Sequence, residues 1–253
     1  MSVTAAADTL FERAPPLLRV AGLAKRYGEQ HALAAISFDV RAGEVLGLIG
    51  PNGAGKTTLL EALAGLIPVE AGELVWRGIP APCAETPRME RRDIMFYLPD
   101  GLRPWEDELV LRVLTFFASV HGRTDREVAE TVDSVGLAPV LRKRVLALSK
   151  GYARRLMLAL ALLTPQALLL MDEPFDGFDL RQTRDVMGLI RRVAASGRTL
   201  VLAIHQLADA ERVCDRLVLL ADGAVRGAGT LDELRVQTKL MSASLEDIFL
   251  ALT

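Results

Sequence analysis

Short apolar runs alternate with amphipathic stretches along most of this chain. Val45 to Ile49, Ile94 to Leu98, Ala167 to Met171, Thr199 to Ile204 and Arg216 to Leu220 are nearly continuous in apolar residues. Runs of that length without alternation predict strands covered on both faces. Helical spacing appears between them. Leu59, Leu63, Leu66 and Ile67 recur before Pro68; Leu109, Val113, Phe116, Phe117 and Val120 follow later, then Val128, Val132 and Val135, with Gly122 and Gly136 as breaks. Another helix is predicted over Ala153 to Leu163. This rhythm predicts an α/β fold with a mostly parallel sheet. Ahead of it, Leu17–Val20 and Ala35–Val40 predict short strands around a polar turn at Tyr27-Gly28-Glu29, and Gly72–Trp76 a hairpin-like stretch. Pro80, Pro82 and Pro87 mark a loop before the strand that Pro99 ends. Residues 1–16 read as a tail, and roughly 101–150 as a helical insertion.

Composition narrows the class. With 253 residues, the chain has room for one large α/β domain with an inserted subdomain or for two small domains. The formal charge of −2 and pI near 6.0 lack a global nucleic-acid footprint. The longest apolar stretch, Leu156 to Met171, is interrupted by Thr164-Pro165-Gln166, so no bilayer span is expected. Cys83 and Cys214 are far apart and lack metal-ligand spacing, which favours a reducing compartment. Asp8 and Glu12 make the N-terminus read as a tail rather than an export signal, so a cytosolic location is expected.

The stretch GPNGAGKTT, Gly50 to Thr58, lies between a predicted strand and a predicted helix. Gly50, Gly55, Lys56 and Thr57 match GxxxxGK[ST] in the context that a phosphate-binding loop requires. In such a loop Asn52, Gly53, Ala54 and Thr58 join Gly50 and Gly55 in presenting backbone N–H groups, Pro51 belongs to the same phosphate-binding turn without a donor of its own, and the helix N-terminus adds partial positive charge. Lys56 is expected on the β and γ phosphates and the Thr57 hydroxyl on Mg²⁺. Thr58 stands where a dinucleotide fingerprint places its last glycine, which disfavours that rival. Nucleoside triphosphate is the expected ligand.

A second element is the apolar strand ending in Asp172-Glu173. Alternation along a strand sends adjacent side chains in different directions. Asp172 suits Mg²⁺, and Glu173 suits a general base for the water that attacks the γ phosphate.

Leu148-Ser149-Lys150-Gly151-Tyr152, ahead of a helix and the Asp-Glu strand, resembles the signature motif of ABC ATPases. The resemblance to an ABC transporter nucleotide-binding domain covers nearly all of Leu17 to Thr253. It implies a P-loop NTPase fold of ABC ATPase type: a mostly parallel core sheet with flanking helices, an N-terminal antiparallel β subdomain and an inserted helical subdomain. ATP and Mg²⁺ are the implied cofactors. Tyr27 lies where the family stacks an aromatic on adenine; an ordinary turn tyrosine is the alternative. Asp179 falls at the acidic position of the D-loop, and His205 matches the switch histidine that contacts the γ phosphate. Ser149, Lys150 and Gly151 would meet the nucleotide of an opposing subunit, in a homodimer or heterodimer of ATPase chains.

Two departures from the family pattern stand out. Asp100 occupies the place of the usual Q-loop glutamine, where it is a candidate metal-site residue or a plain turn aspartate. Tyr152 replaces the usual signature glutamine, with no effect derivable from sequence. The ending Ser244 to Thr253 resembles that of ATPases of ABC-2 type exporters, although as physics it is only an amphipathic helix. The resemblance therefore implies an exporter ATPase on the inner face of the cell membrane, powering a separate permease through ATP-driven dimerisation. The chain is too short for the long coiled coil of a DNA-repair ABC ATPase, and it lacks the NKxD motif of a GTPase. A soluble non-transport ABC ATPase or another P-loop NTPase is the alternative.

Overall fold

The computed structural model describes residues 15–82 and 88–253, so Cys83, Pro87 and most of the expected tail lie outside the described residues. Two sheets organise the chain. One is antiparallel, in the order β2-β1-β4-β5, and is formed by β1 (Leu18–Tyr27), β2 (Gln30–Val40), β4 (Ala71–Trp76) and β5 (Ile79–Pro82). The other, in the order β10-β9-β3-β8-β7-β6, contains β3 (Val45–Ile49), β6 (Met95–Leu98), β7 (Leu168–Asp172), β8 (Thr199–Ile204), β9 (Arg216–Ala221) and β10 (Ala224–Gly229). Five of its strands run parallel, and β10 returns antiparallel beside β9.

The uninterrupted apolar strands are explained by what covers them. Leu46, Leu48, Leu168, Leu170, Val201, Ala203, Val218 and Leu220 face one core, shared with β1, β2 and helix α1 (Lys56–Ala64). Their neighbours Val45, Ile49, Leu169, Met171, Leu200, Leu202, Leu217 and Leu219 face the opposite core. There they meet α3 (Val110–Val120), α4 (Asp125–Val135), α5 (Lys150–Leu163) and α6 (Leu180–Ala195). Alternate side chains thus enter different cores, and neither face of the sheet tolerates a polar period.

The elements differ from the sequence expectation at their ends. β1 and β2 are long, bulged strands of 10 and 11 residues rather than two short ones. Leu66 and Ile67 continue the helical period of α1 but are not helical. Gly65 adopts φ 72° and donates back to Glu61 and Ala62, closing the helix after Ala64. Leu66 is left exposed. The short helix α2 (Arg88–Ile94), β5 and β10 were not expected. After these come α7 (Leu207–Val213), α8 (Leu231–Thr238) and α9 (Leu245–Leu252), and among the described residues no helix is long and apolar enough to cross a membrane.

Candidate functional site

In-register pairing of the parallel strands brings distant residues together. Ile49 lies beside Ile204, Asp172 beside Ala203, and Leu98 beside Met171. The residues that leave these carboxyl ends, Gly50, His205, Glu173 and Asp100, are therefore gathered along one edge, where open α/β sheets hold their ligands.

The first βα connection is a tight loop. Ala54 N–H donates to the Pro51 carbonyl at 3.1 Å, and Gly55 caps α1 at φ 98°. A Cβ on Gly55 would lie 2.5 Å from the Ala32 carbonyl oxygen, and one on Gly50 would lie 2.3 Å from that of Leu220. Both contacts are with backbone, so only glycine fits at either position. The Lys56 ammonium curls into this loop, donating to the carbonyls of Gly50 at 2.7 Å and Pro51 at 3.2 Å. Burial lowers its pKa, against the opposing pull of Glu173 and Asp172.

Asp172 and Glu173 turn to different partners. The Thr57 hydroxyl donates to Asp172 Oδ2 at 2.6 Å. Asp172 is almost fully buried; desolvation raises its pKa, while the Thr57 hydrogen bond opposes the rise. Glu173 adopts φ 47°, a left-handed conformation costly for a residue with a side chain. Its N–H is held by the Ala203 carbonyl at 3.0 Å, and its Oε2 lies 2.6 Å from His205 Nδ1. Strain and hydrogen bonding together fix the carboxylate beside the histidine.

A cleft of about 590 Å³ opens in front of these groups, lined by Asn52, Gly53, Gly55 to Thr58, Asp172 and Glu173. Tyr27 forms one wall, half-exposed, with the Lys25 ammonium 5.2 Å from its ring centre. Asp100 borders the cleft but is ion-paired with Arg154 of α5. Tyr97, Glu61 and Gln30 also line it, and sequence reasoning missed them because each is unremarkable in its own segment. Burial pushes the Tyr97 phenol up, helped by Asp172, Glu61 and Asp100.

Ser149, Lys150, Gly151 and Asp179 are not part of this cleft. They line a separate, polar one of about 490 Å³ with Tyr152, Arg155, Gly177 and Gln182. Ser149 caps α5, accepting from the Tyr152 N–H at 3.4 Å; Asp179 caps α6, accepting from the Gln182 N–H at 2.8 Å. Lys150 pairs with Asp176 at 2.7 Å.

Among the described residues no group of three or more His, Cys, Asp or Glu side chains is placed to hold a metal ion. The donors at Thr57 and Asp172 instead suit an ion that keeps most of its ligands as phosphate oxygens and water, as Mg²⁺ does.

The ABC transporter family pattern matches residues 33–176, more than half of the chain, including the loop, the signature and the Asp172-Glu173 pair. The chain belongs to the ABC transporter family. It is an ATP-binding subunit of that family and an ATPase. An uncharacterized ABC transporter ATP-binding protein of Methanocaldococcus jannaschii is 31% identical, with 87% of this chain and 79% of that protein aligned. The Nod factor export ATP-binding protein I of Ralstonia nicotianae is 36% identical over 87% of this chain and 68% of its own. A fluoroquinolones export ATP-binding protein of Mycobacterium tuberculosis is 34% identical over 87% and 73%. In three dimensions, the solved structure of an ATP-binding subunit of an ABC transporter superposes with a TM-score of 0.84 and 30% identity, covering 93% of this ABC subunit and 99% of that chain.

Proposed function

We propose that this ABC ATPase subunit powers export through a separate permease, from the inner face of the cell membrane, by closing and reopening a dimer around ATP. The observation that carries the reading is that Thr57, Asp172 and Glu173 line one cleft with the Gly50–Thr58 loop, Thr57 bonded to Asp172 and Glu173 held by His205 from outside the lining.

In this reading the loop amides and the N-terminus of α1 hold the triphosphate, and Lys56 exchanges the loop carbonyls for β and γ phosphate oxygens. Tyr27 offers a ring face to the adenine. Thr57 and Asp172 would hold Mg²⁺, with Asp100 at the periphery, and the bound ion would supply positive charge to offset that of the phosphoryl group. Glu173 accepts a proton from the attacking water as oxygen bonds to the γ phosphorus. The bond to the β–γ bridging oxygen breaks, leaving ADP and phosphate. His205 orients Glu173 and reaches toward the γ phosphate. Ser149, Lys150, Gly151 and Asp179 serve the nucleotide held by a second ATPase chain.

Export is supported by the names of the Nod factor and fluoroquinolone relatives and by the Ser244–Thr253 ending, which resembles that of ABC-2 type exporter ATPases. A surface for the permease is offered by the exposed apolar residues that follow Asp100 in the chain. Leu102, Trp105 and Phe116 are exposed apolar residues, and the Trp105 and Phe116 rings meet edge to face at 5.5 Å. One chain segment thus runs from the nucleotide cleft to an apolar patch. The test is retention and turnover of labelled ATP by the purified chain. The expected result is magnesium-dependent release of phosphate; failure to retain ATP with magnesium present contradicts the reading.

A further inference from the structure

Arg154 lies in the first turns of α5 among the core residues Ala153, Leu156, Met157 and Leu158, and only 5% of its side chain is exposed. A guanidinium so buried needs a counter-charge. Its partner comes from a distant element: Nη2 donates to Oδ1 of Asp100, in the turn after β6 and 54 residues earlier. The Asp100 side chain is 47% exposed and borders the nucleotide cleft. One ion pair therefore joins that cleft to the helix whose first residues carry the signature. Arg154 also adds favourable charge at Asp172 and Asp176, but those carboxylates are engaged by Thr57 and Lys150, so Asp100 is its ion-pair partner.

We propose that the Asp100–Arg154 pair is a latch between the nucleotide cleft and the signature helix, closed by Arg154 and released when magnesium bound with ATP draws the Asp100 carboxylate away. This rests on the assignment of Asp100 to the periphery of the metal site. A dication at comparable distance attracts a carboxylate more strongly than a single guanidinium charge does. Release leaves the start of α5 tied to the sheet by one contact fewer, and Ser149 to Gly151 can then adjust to an opposing nucleotide. Arg154 is a positioning residue in this scheme, acting only through Asp100.

Magnesium titrations of ATP binding, followed by equilibrium dialysis of labelled ATP, test the latch without relying on turnover. Arg154→Gln removes the competitor, so the magnesium concentration for half-saturation is expected to fall roughly three- to tenfold, the range for a charged pair that is only partly screened. Asp100→Asn is expected to raise it by a similar factor. Adding Arg154→Gln to Asp100→Asn is expected to change nothing more. An unchanged or raised requirement in Arg154→Gln, or an equal effect of that substitution with asparagine at 100, overturns the latch. If thermal melting shows that Arg154→Gln does not fold, Arg154→Lys takes its place. It keeps a cation but loses the planar fork, and a fall of about two- to threefold is expected; no fall overturns the proposal. Thr57→Ala separates the two claims. A requirement that responds to Thr57→Ala but not to Arg154 removes the latch and keeps the site; one that responds to neither removes the metal assignment itself.

Discussion

Helices α1 and α5 each start beside a polar cleft, yet the two starts are finished to different degrees. At α1 the cap is a glycine, the loop folds around a buried lysine, and groups from β7 and β8 close in front. At α5 the cap is the exposed Ser149, followed by the exposed Lys150, and the acids nearby are committed to Lys150 and to capping α6. The first site draws its parts from across the sheet, and the second only from adjacent turns. A helix start with donors but no acid for metal or base is half of a site, and in the proposed dimer the nucleotide of a second chain completes it.

The strongest way to break the comparison is to disable the chemistry at the α1 side alone. Glu173→Gln keeps the side-chain shape and removes the base, so phosphate release should fall by about 10²- to 10⁴-fold while ATP is still retained. A fall of less than tenfold would place the base elsewhere. Next comes a contrast between the two helix starts. Lys56→Ala should weaken ATP retention by a single chain roughly 10- to 100-fold, since a charged hydrogen-bonding group is lost. Gly151→Asp should leave that retention unchanged and abolish turnover. A Cβ at Gly151 meets nothing closer than 3.5 Å, so the substitution introduces charge without breaking the fold. Weak ATP retention by Gly151→Asp would mean that the two clefts are not independent.

These contrasts also mark what could be read from the chain. The strands of the parallel sheet were legible because two cores cover them, and the loop because its glycines and lysine are consecutive. Asp172 and Glu173 were legible as a pair, and their partners Thr57 and His205 followed from motif order. Strand β10 was not legible: Gly227 and Gly229 interrupt it, and its place beside β9 depends on the Asp222-Gly223 turn. Nor was the end of α1, where the apolar period runs past a left-handed glycine. Arg154 gave no local sign of burial next to the similar Arg155, and its link to Asp100 exists only once the sheet and α5 have packed.

Smaller effects sharpen the picture at its edges. Trp105→Glu should leave ATP turnover by the isolated chain unchanged and reduce recovery of the chain with detergent-solubilised membranes severalfold, as loss of a buried aromatic anchor does. Undiminished recovery would move the permease contact elsewhere. The smallest change concerns α9, where Ser244 and Asp247 cap each other. Hydrogen bonds from the Ser244 hydroxyl and backbone hold the Asp247 carboxyl below its ordinary range. A depressed acid adds stability above its unfolded pKa and loses it as pH falls through the folded value. Ser244→Ala should therefore lower the melting temperature slightly near neutral pH, with the difference from the parent chain vanishing in strong acid. A difference that persists there would assign the effect to packing.

The most direct measurement is sizing chromatography of the Glu173→Gln chain with ATP and magnesium, with and without Gly151→Asp. The account predicts a dimer that forms only with nucleotide and disappears when the signature is altered. A monomer under all conditions, or a dimer indifferent to Gly151→Asp, would contradict it.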